Sequence, residues 1–393
     1  MQSPVLRKGV VALFASSCLL LSGCSSEDGP AVGGGASASP TGTASAPPAS
    51  KSPTADLPPA RGSVEVVKTL TDGLASPWGL AALPGGDLLV ASRDEATITR
   101  IDGESGGKTL LGSVPGVAPA GEGGLLGLAV APTFGADHLV YAYFTTESDN
   151  RIARMQYDEK KPPGQQLGAP DTILRGIPKG SIHNGGRIAF GPDRMLYAGT
   201  GETGDTGLAQ DTSSLAGKTL RMTPDGEPVH GNPEADSVVY SYGHRNVQGL
   251  AWDGRKRLWA AEFGQNTWDE LNRIEPGRNY GWPKVEGRKG ESGLVDPVAQ
   301  WKTSEASPSG IAYAEGSIWM AGLRGERLWR IPLSGKSGEE PLAAPQAFLE
   351  GKYGRLRTVL AAGGDKLWLV TSNTDGRGTP KAGDDRILLL EVR

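Results

Sequence analysis

The 393-residue chain predicts an all-β fold, a six-bladed β-propeller of four-stranded antiparallel blades. Three observations predict it. From residue 61 onward the chain is rich in Gly and Pro, with short apolar runs and few helical periodicities. The runs come in pairs separated by turns of Gly, Asp or Pro, which is the pattern of a β-hairpin. The pair then recurs six times along the chain.

In order, the pairs are WGLAALPGGDLLVAS from Trp78, LLGLAVAPTFGADHLVYAYF from Leu125 and GRIAFGPDRMLYAGTG from Gly186. QGLAWDGRKRLWAAEFG from Gln248, SGIAYAEGSIWMAGL from Ser309 and RTVLAAGGDKLWLVTS from Arg357 follow. Their equivalent apolar positions, Leu80, Leu128, Ile188, Leu250, Ile311 and Val359, are spaced 48, 60, 62, 61 and 48 residues apart. A lone hairpin cannot bury both faces, and a unit of this size suits a blade of four strands plus loops. A β-sandwich is the competing architecture, but six variants of one unit favour radial repetition. Functional residues are then expected in loops flanking these strands, gathered at one end of the central channel.

The segments before the repeats differ in kind. Arg7 and Lys8 precede VVALFASSCLLLSG, an apolar run too short for a permanent membrane span, so residues 1–24 read as an export signal. Its end, LSGC, resembles the bacterial lipobox, which implies cleavage before Cys24 and its lipidation. Residues 25–60 are Gly, Ala, Ser and Pro without an aromatic, too poor in apolar bulk to offset their ordering entropy. They read as a disordered linker reaching roughly 30 to 35 Å. The expected product is an extracytoplasmic, lipid-anchored domain spanning 61–393.

Composition narrows the chemistry. The only cysteines are Cys18 and Cys24, so a domain beginning at residue 61 has no thiolate nucleophile, thiolate metal site or disulfide. The net charge of −4 comes without a basic stripe, which argues against nucleic acid as a partner. GTGETG at 199–204 has the spacing of a dinucleotide-binding loop but sits inside the all-β repeat, so it reads as a plain loop. No GxxxxGK[ST] phosphate loop and no HExxH zinc helix occurs. Of the four histidines, His138 and His230 read as loop residues, whereas His183 in SIHNGGRIAFG stands at the entrance to a strand.

Several loops together resemble the soluble quinoprotein sugar dehydrogenases, the glucose/sorbosone and aldose dehydrogenase family. The matching pieces are EGGLLGLAVAPTF, HNGGRIAFGPDRMLYAGTGE, SYGHRNVQGLAWD, EFGQNTWDELNRIEPGRNYGWP, GLRGERLW and GRLRTV, in the family's order. The resemblance implies pyrroloquinoline quinone (PQQ) and Ca2+ as cofactors, an aldose as substrate and an external electron acceptor. It implies His183 as the base that takes the proton of the C1 hydroxyl, with Arg187 at the family's spacing. Histidine suits the task, because an unperturbed pKa of about 6.5 leaves the neutral form dominant at neutral pH. It maps Glu122, Arg245, Asn246, Arg324, Arg355 and Arg357 onto the cofactor, whose three carboxylates call for planar cationic donors. Calcium is mapped onto Gly264 and Gln265, and a second, structural calcium onto Glu270 and Tyr280.

Departures from the family pattern carry their own expectations. Glu122 replaces a glutamine and would repel an anionic cofactor unless protonated or paired. Ile182 replaces an acidic residue, removing a contact that could orient the base. Arg324 stands for a lysine and Gln265 for a proline. Two alternatives stay open: a non-catalytic propeller that binds a glycan or protein, and a calcium-dependent lactonase.

Overall fold

The computed structural model describes residues 57–335 and 340–393. The export signal expected over 1–24, with Cys24, and the linker through residue 56 lie outside the described residues. Strand β1 (Val64–Thr71) comes first in the chain but belongs to the last blade. The first blade is β2 (Pro77–Ala82), β3 (Leu88–Ser92), β4 (Thr97–Ile101) and β5 (Lys108–Ser113). The second is β6 (Leu125–Val130), β7 (Leu139–Thr145), β8 (Asn150–Gln156) and β9 (Asp171–Ile177). The third is β10 (Ile188–Phe190), β11 (Leu196–Gly199), β12 (Lys218–Met222) and β13 (Val239–Tyr242).

The fourth blade is β14 (Val247–Trp252), β15 (Leu258–Glu262), β16 (Trp268–Ile274) and β17 (Ala299–Lys302). The fifth is β18 (Pro308–Ala314), β19 (Ser317–Gly322), β20 (Arg327–Pro332) and β21 (Gln346–Phe348). The sixth is β22 (Leu356–Gly363), β23 (Lys366–Thr371) and β24 (Ile387–Val392), completed by β1. All six sheets are four-stranded and antiparallel, as the repeats predict. Among the described residues, the helical segments are a single-turn helix, Phe134–Asp137, and a 3-10 turn, Thr206–Ala209.

The repeated apolar positions all fall on the innermost strand of a blade. Leu80 pairs with Val90, Leu128 with Ala142, Ile188 with Ala198, Leu250 with Ala260, Ile311 with Met320 and Val359 with Leu369. The residue just before each one faces the channel, where the inner strands come close. A Cβ on Gly127 would lie 2.1 Å from the Gly186 carbonyl oxygen, and one on Gly249 would lie 2.3 Å from that of Ser309. Arg187 occupies the equivalent place in the third blade and spans the channel instead. Its Nη2 donates to Thr358 Oγ1 of the sixth blade at 3.0 Å, and Nε donates to the Gln248 carbonyl at 2.8 Å.

The core is divided between neighbouring blades. Leu89, Ile98 and Leu111 pack on Val140, Ala142 and Phe144; Trp319 and Leu328 pack on Leu367, Leu388 and Leu390. The ring closes where β1 pairs with β24, from Val64 opposite Val392 to Thr71 opposite Ile387. The expected linker ends earlier than residue 60. Pro59 already accepts a hydrogen bond from Arg330 Nη2 at 2.7 Å.

Candidate active site

The up-down connectivity sets inner-strand starts and second-strand ends at the same end of the channel. A cavity of about 400 Å³ opens there. Its walls include Trp78 on β2, Glu122 before β6, His183 before β10, Arg245 before β14 and Gly264 and Gln265 after β15. Arg324 after β19, Arg355 and Arg357 at β22, and Asp375 and Arg377 after β23 complete it. All six blades therefore contribute, and most of the residues expected from sequence meet in one place.

His183 is held on three sides. Its backbone lies in the left-handed region, with φ at 54°. Its carbonyl accepts from the Thr203 N–H at 3.2 Å, and its own N–H donates to Glu122 Oε2 at 3.0 Å. The ring nitrogen Nδ1 sits 2.5 Å from Glu202 Oε1, in a buried pair. With Nδ1 taken, Nε2 is the nitrogen left to the cavity. A carboxylate on Nδ1 fixes the tautomer in which Nε2 is an acceptor, the state a general base needs.

Glu202 was missed in the sequence. It lies in GTGETG, whose first glycine ends β11 while Gly201 and Gly204 follow it, with no α-helix behind them to make a phosphate cradle. The absence of an acid at Ile182 therefore does not leave the His183 ring without an orienting group: Glu202 provides it from the next loop. Its second oxygen, Oε2, accepts from the Gly204 N–H at 2.9 Å.

The cations fall into two groups. Arg355 and Arg357 do point to one side, as expected of alternating residues, but both reach Asp375 Oδ2, at 2.9 and 3.0 Å. Burial opposes the charge on Asp375, yet Arg357 and Arg355 outweigh it and lower its pKa. Burial brings Arg357 down to about 10 despite Asp375. Among the described residues, Arg245 and Arg324 form no salt bridge, although Glu202, Glu286, Asp269 and Glu122 act on Arg245 from further off. Arg245 stacks over Trp282 with its guanidinium carbon 5.5 Å from the ring centre, and burial lowers its pKa. Arg187 lies beneath, 4.4 Å over Trp78, and burial followed by the nearby Arg357 pulls it down to about 9.

Two assignments change. Asn246 stands behind the cavity wall rather than on it: Oδ1 accepts from the Gly185 N–H at 2.9 Å, and Nδ2 is a buried donor with no partner. Glu122 does not carry an unmatched charge, because Oε1 pairs with Arg377 Nη2 at 2.8 Å.

The 264–268 loop is built by carboxylates that collect its N–H groups. Glu286 Oε1 accepts from Gln265, Asn266, Thr267 and Trp268 at 2.7 to 3.1 Å. Asp269 accepts from Gly264 at 2.9 Å and Ser307 at 2.6 Å, while burial raises its pKa to about 6. With the N–H groups turned to these acids, the loop carbonyls are the groups left over. Glu270 and Tyr280 do not converge through their side chains. The Tyr280 hydroxyl donates to the Arg273 carbonyl at 2.6 Å. Glu270 accepts from Asn272 Nδ2 and the Gly287 N–H, at 3.0 and 2.8 Å. Burial and then the neighbouring Glu262 carboxylate raise Glu270 to about 8, and Asn272 Oδ1 is a buried acceptor without a partner.

Comparison with known proteins places this arrangement. Residues 74–388 match the family model described as glucose/sorbosone dehydrogenase. The chain is 33% identical over 270 residues to aldose sugar dehydrogenase YliI of Escherichia coli, covering 63% of this chain and 72% of that protein. It is 30% identical over 285 residues to quinoprotein glucose dehydrogenase B of Acinetobacter calcoaceticus, covering 63% and 59%. Among solved structures, the PQQ-bound aldose sugar dehydrogenase of Streptomyces coelicolor superposes with a TM-score of 0.84 at 75% identity, over 86% of this chain and all of that one. The chain is a member of the glucose/sorbosone dehydrogenase family.

Proposed function

We propose that this protein oxidises aldose sugars at the anomeric carbon, using pyrroloquinoline quinone and calcium and passing the electrons to an external acceptor. The observation that carries the reading is the His183–Glu202 pair opening onto a cavity walled by Arg245 and Arg324. PQQ supplies, when bound, the carbon that receives the hydride from C1. His183 Nε2 takes the proton of the C1 hydroxyl, and Glu202 stabilises the resulting imidazolium.

The residues fit such a cofactor. Arg245 and Arg324 present positive charge to the cavity where its carboxylates would sit, and the buried Arg245 Nε asks for an acceptor. The Gly264 and Gln265 carbonyls would hold a calcium ion, a hard cation that prefers oxygen ligands. A second cation at Glu270 would draw on the Glu270 and Glu262 carboxylates and on Asn272 Oδ1, a buried acceptor without a partner among the described residues. Because Arg377 already pairs with Glu122, that carboxylate is no argument for a propeller without cofactor.

His183→Ala tests the reading. Turnover in a dye-reduction assay with PQQ, calcium and an aldose is expected to vanish while the far-UV circular dichroism is unchanged. A variant with a near-normal rate contradicts the assignment of the base.

A further inference from the structure

Glu122 and His183 lie 61 residues apart, on loops of different blades, and meet backbone to side chain. His183 has φ at 54°. A residue with a Cβ keeps that conformation only when its surroundings hold it. The Glu122 carboxylate is one of those restraints: Oε2 accepts the His183 N–H at 3.0 Å. An ionised acceptor makes the stronger kind of hydrogen bond, roughly twice that of a neutral pair. The Glu122 backbone N–H in turn donates to the Ser181 carbonyl at 2.9 Å, so the two loops are joined by both main chain and side chain.

The other carboxylate oxygen is committed as well. Arg377 Nη2 reaches Oε1 at 2.8 Å from the sixth blade, and the Arg377 N–H is anchored on Asp375 Oδ1 at 2.9 Å. Asp375 itself carries Arg355 and Arg357. A chain of contacts therefore runs from the arginine wall through Arg377 and Glu122 to the backbone of His183. The Arg377 side chain is 63% exposed, so its pairing adds little stability; its effect is to hold the carboxylate in one orientation.

We propose that Glu122 is a positioning residue: it fixes the left-handed backbone of His183, and so the aim of the imidazole, with Arg377 as the clasp that holds it there. The proposal rests on the reading of His183 as the base. It assigns to Glu122 a task on the protein itself rather than on the cofactor.

The test reads amide hydrogen exchange at His183 in the cofactor-free protein, for wild type, E122A, E122Q and R377A. It is paired with kcat, KM and the PQQ dissociation constant of each. In E122A the His183 amide is expected to exchange at least about tenfold faster while the blade strands keep their protection. A displaced base should lower kcat by about 10- to 100-fold, with KM and PQQ affinity unchanged. E122Q keeps an acceptor oxygen and should restore most of the protection; R377A should fall between wild type and E122A. Unchanged exchange at His183 in E122A overturns the proposal, as does weakened PQQ binding with normal kcat at saturation, which would make Glu122 a cofactor ligand. Should E122A not fold, R377A decides, because exchange at His183 equal to wild type contradicts the clasp. The exchange readout needs no turnover, so a protein inactive on every aldose would defeat the functional reading and leave this one to be judged on its own.

Discussion

At the scale of single residues, the site is arranged around what surrounds His183 rather than around the histidine itself. In the sequence, the resemblance carried by HNGGRIAFGPDRMLYAGTGE picked out His183. It did not pick out Glu202, because a glutamate among the glycines of GTGETG has no local pattern that points to a ring 19 positions earlier. The Glu122–Arg377 pair was equally hidden, since its partners are 255 residues apart and only closure of the ring brings them together. Glu202 carries a direct expectation. Glu202→Gln keeps the size but offers no charge to an imidazolium, and its amide can leave the ring in the wrong tautomer. Activity should fall by roughly 10²- to 10⁴-fold in kcat, the usual weight of general-base catalysis, with KM little changed in steady-state kinetics. A loss confined to KM would mean that Glu202 serves binding instead.

At the scale of elements, short-range pattern was enough for the blades and not for what joins them. Hairpins announce themselves through neighbours in sequence, so all six inner strands were found by their apolar positions. Strand β1 carries no such repeat: Val64–Thr71 alternates between half-buried and exposed residues as an outer strand does, and its partner β24 is at the other end of the chain. The loop between β11 and β12 was also illegible, because a lysine holds it. Lys218 Nζ donates to the carbonyls of Leu208, Ala209 and Ala216, at 2.7, 3.2 and 2.6 Å. Burial brings its pKa down to about 8, against about 10.4 for the unfolded chain. Between those values the unfolded state binds more protons, so this residue makes the folded state gain stability as pH rises. Thermal melts of wild type against Lys218→Met should show the difference moving in favour of wild type from pH 8 to pH 10. A difference that is flat or falls over that window would show that the ammonium is not desolvated.

At the scale of the whole molecule, the propeller brings to one cavity groups spread from Trp78 to Arg377. This is why the resemblance of six scattered fragments was informative: each carries a loop at the same end of the ring. Fine detail escaped for the same reason, since a one-dimensional pattern cannot say that Arg355 and Arg357 share Asp375 while Arg245 and Arg324 line the cavity without such a salt bridge among the described residues. Attachment to a membrane is an expectation from the sequence that rests on Cys24. Cys24→Ser should move the protein from the membrane fraction to the soluble extracytoplasmic fraction in an immunoblot of the producing cells, and equal membrane retention would speak against a lipid anchor. The central claim is that the arginine-lined cavity beside His183 takes a quinone cofactor for sugar oxidation. Titration of the purified protein with PQQ in the presence and absence of calcium, following dye reduction with an aldose, tests it most directly. Saturable, calcium-dependent reduction is the predicted result; no binding of the quinone at micromolar concentration would contradict the account.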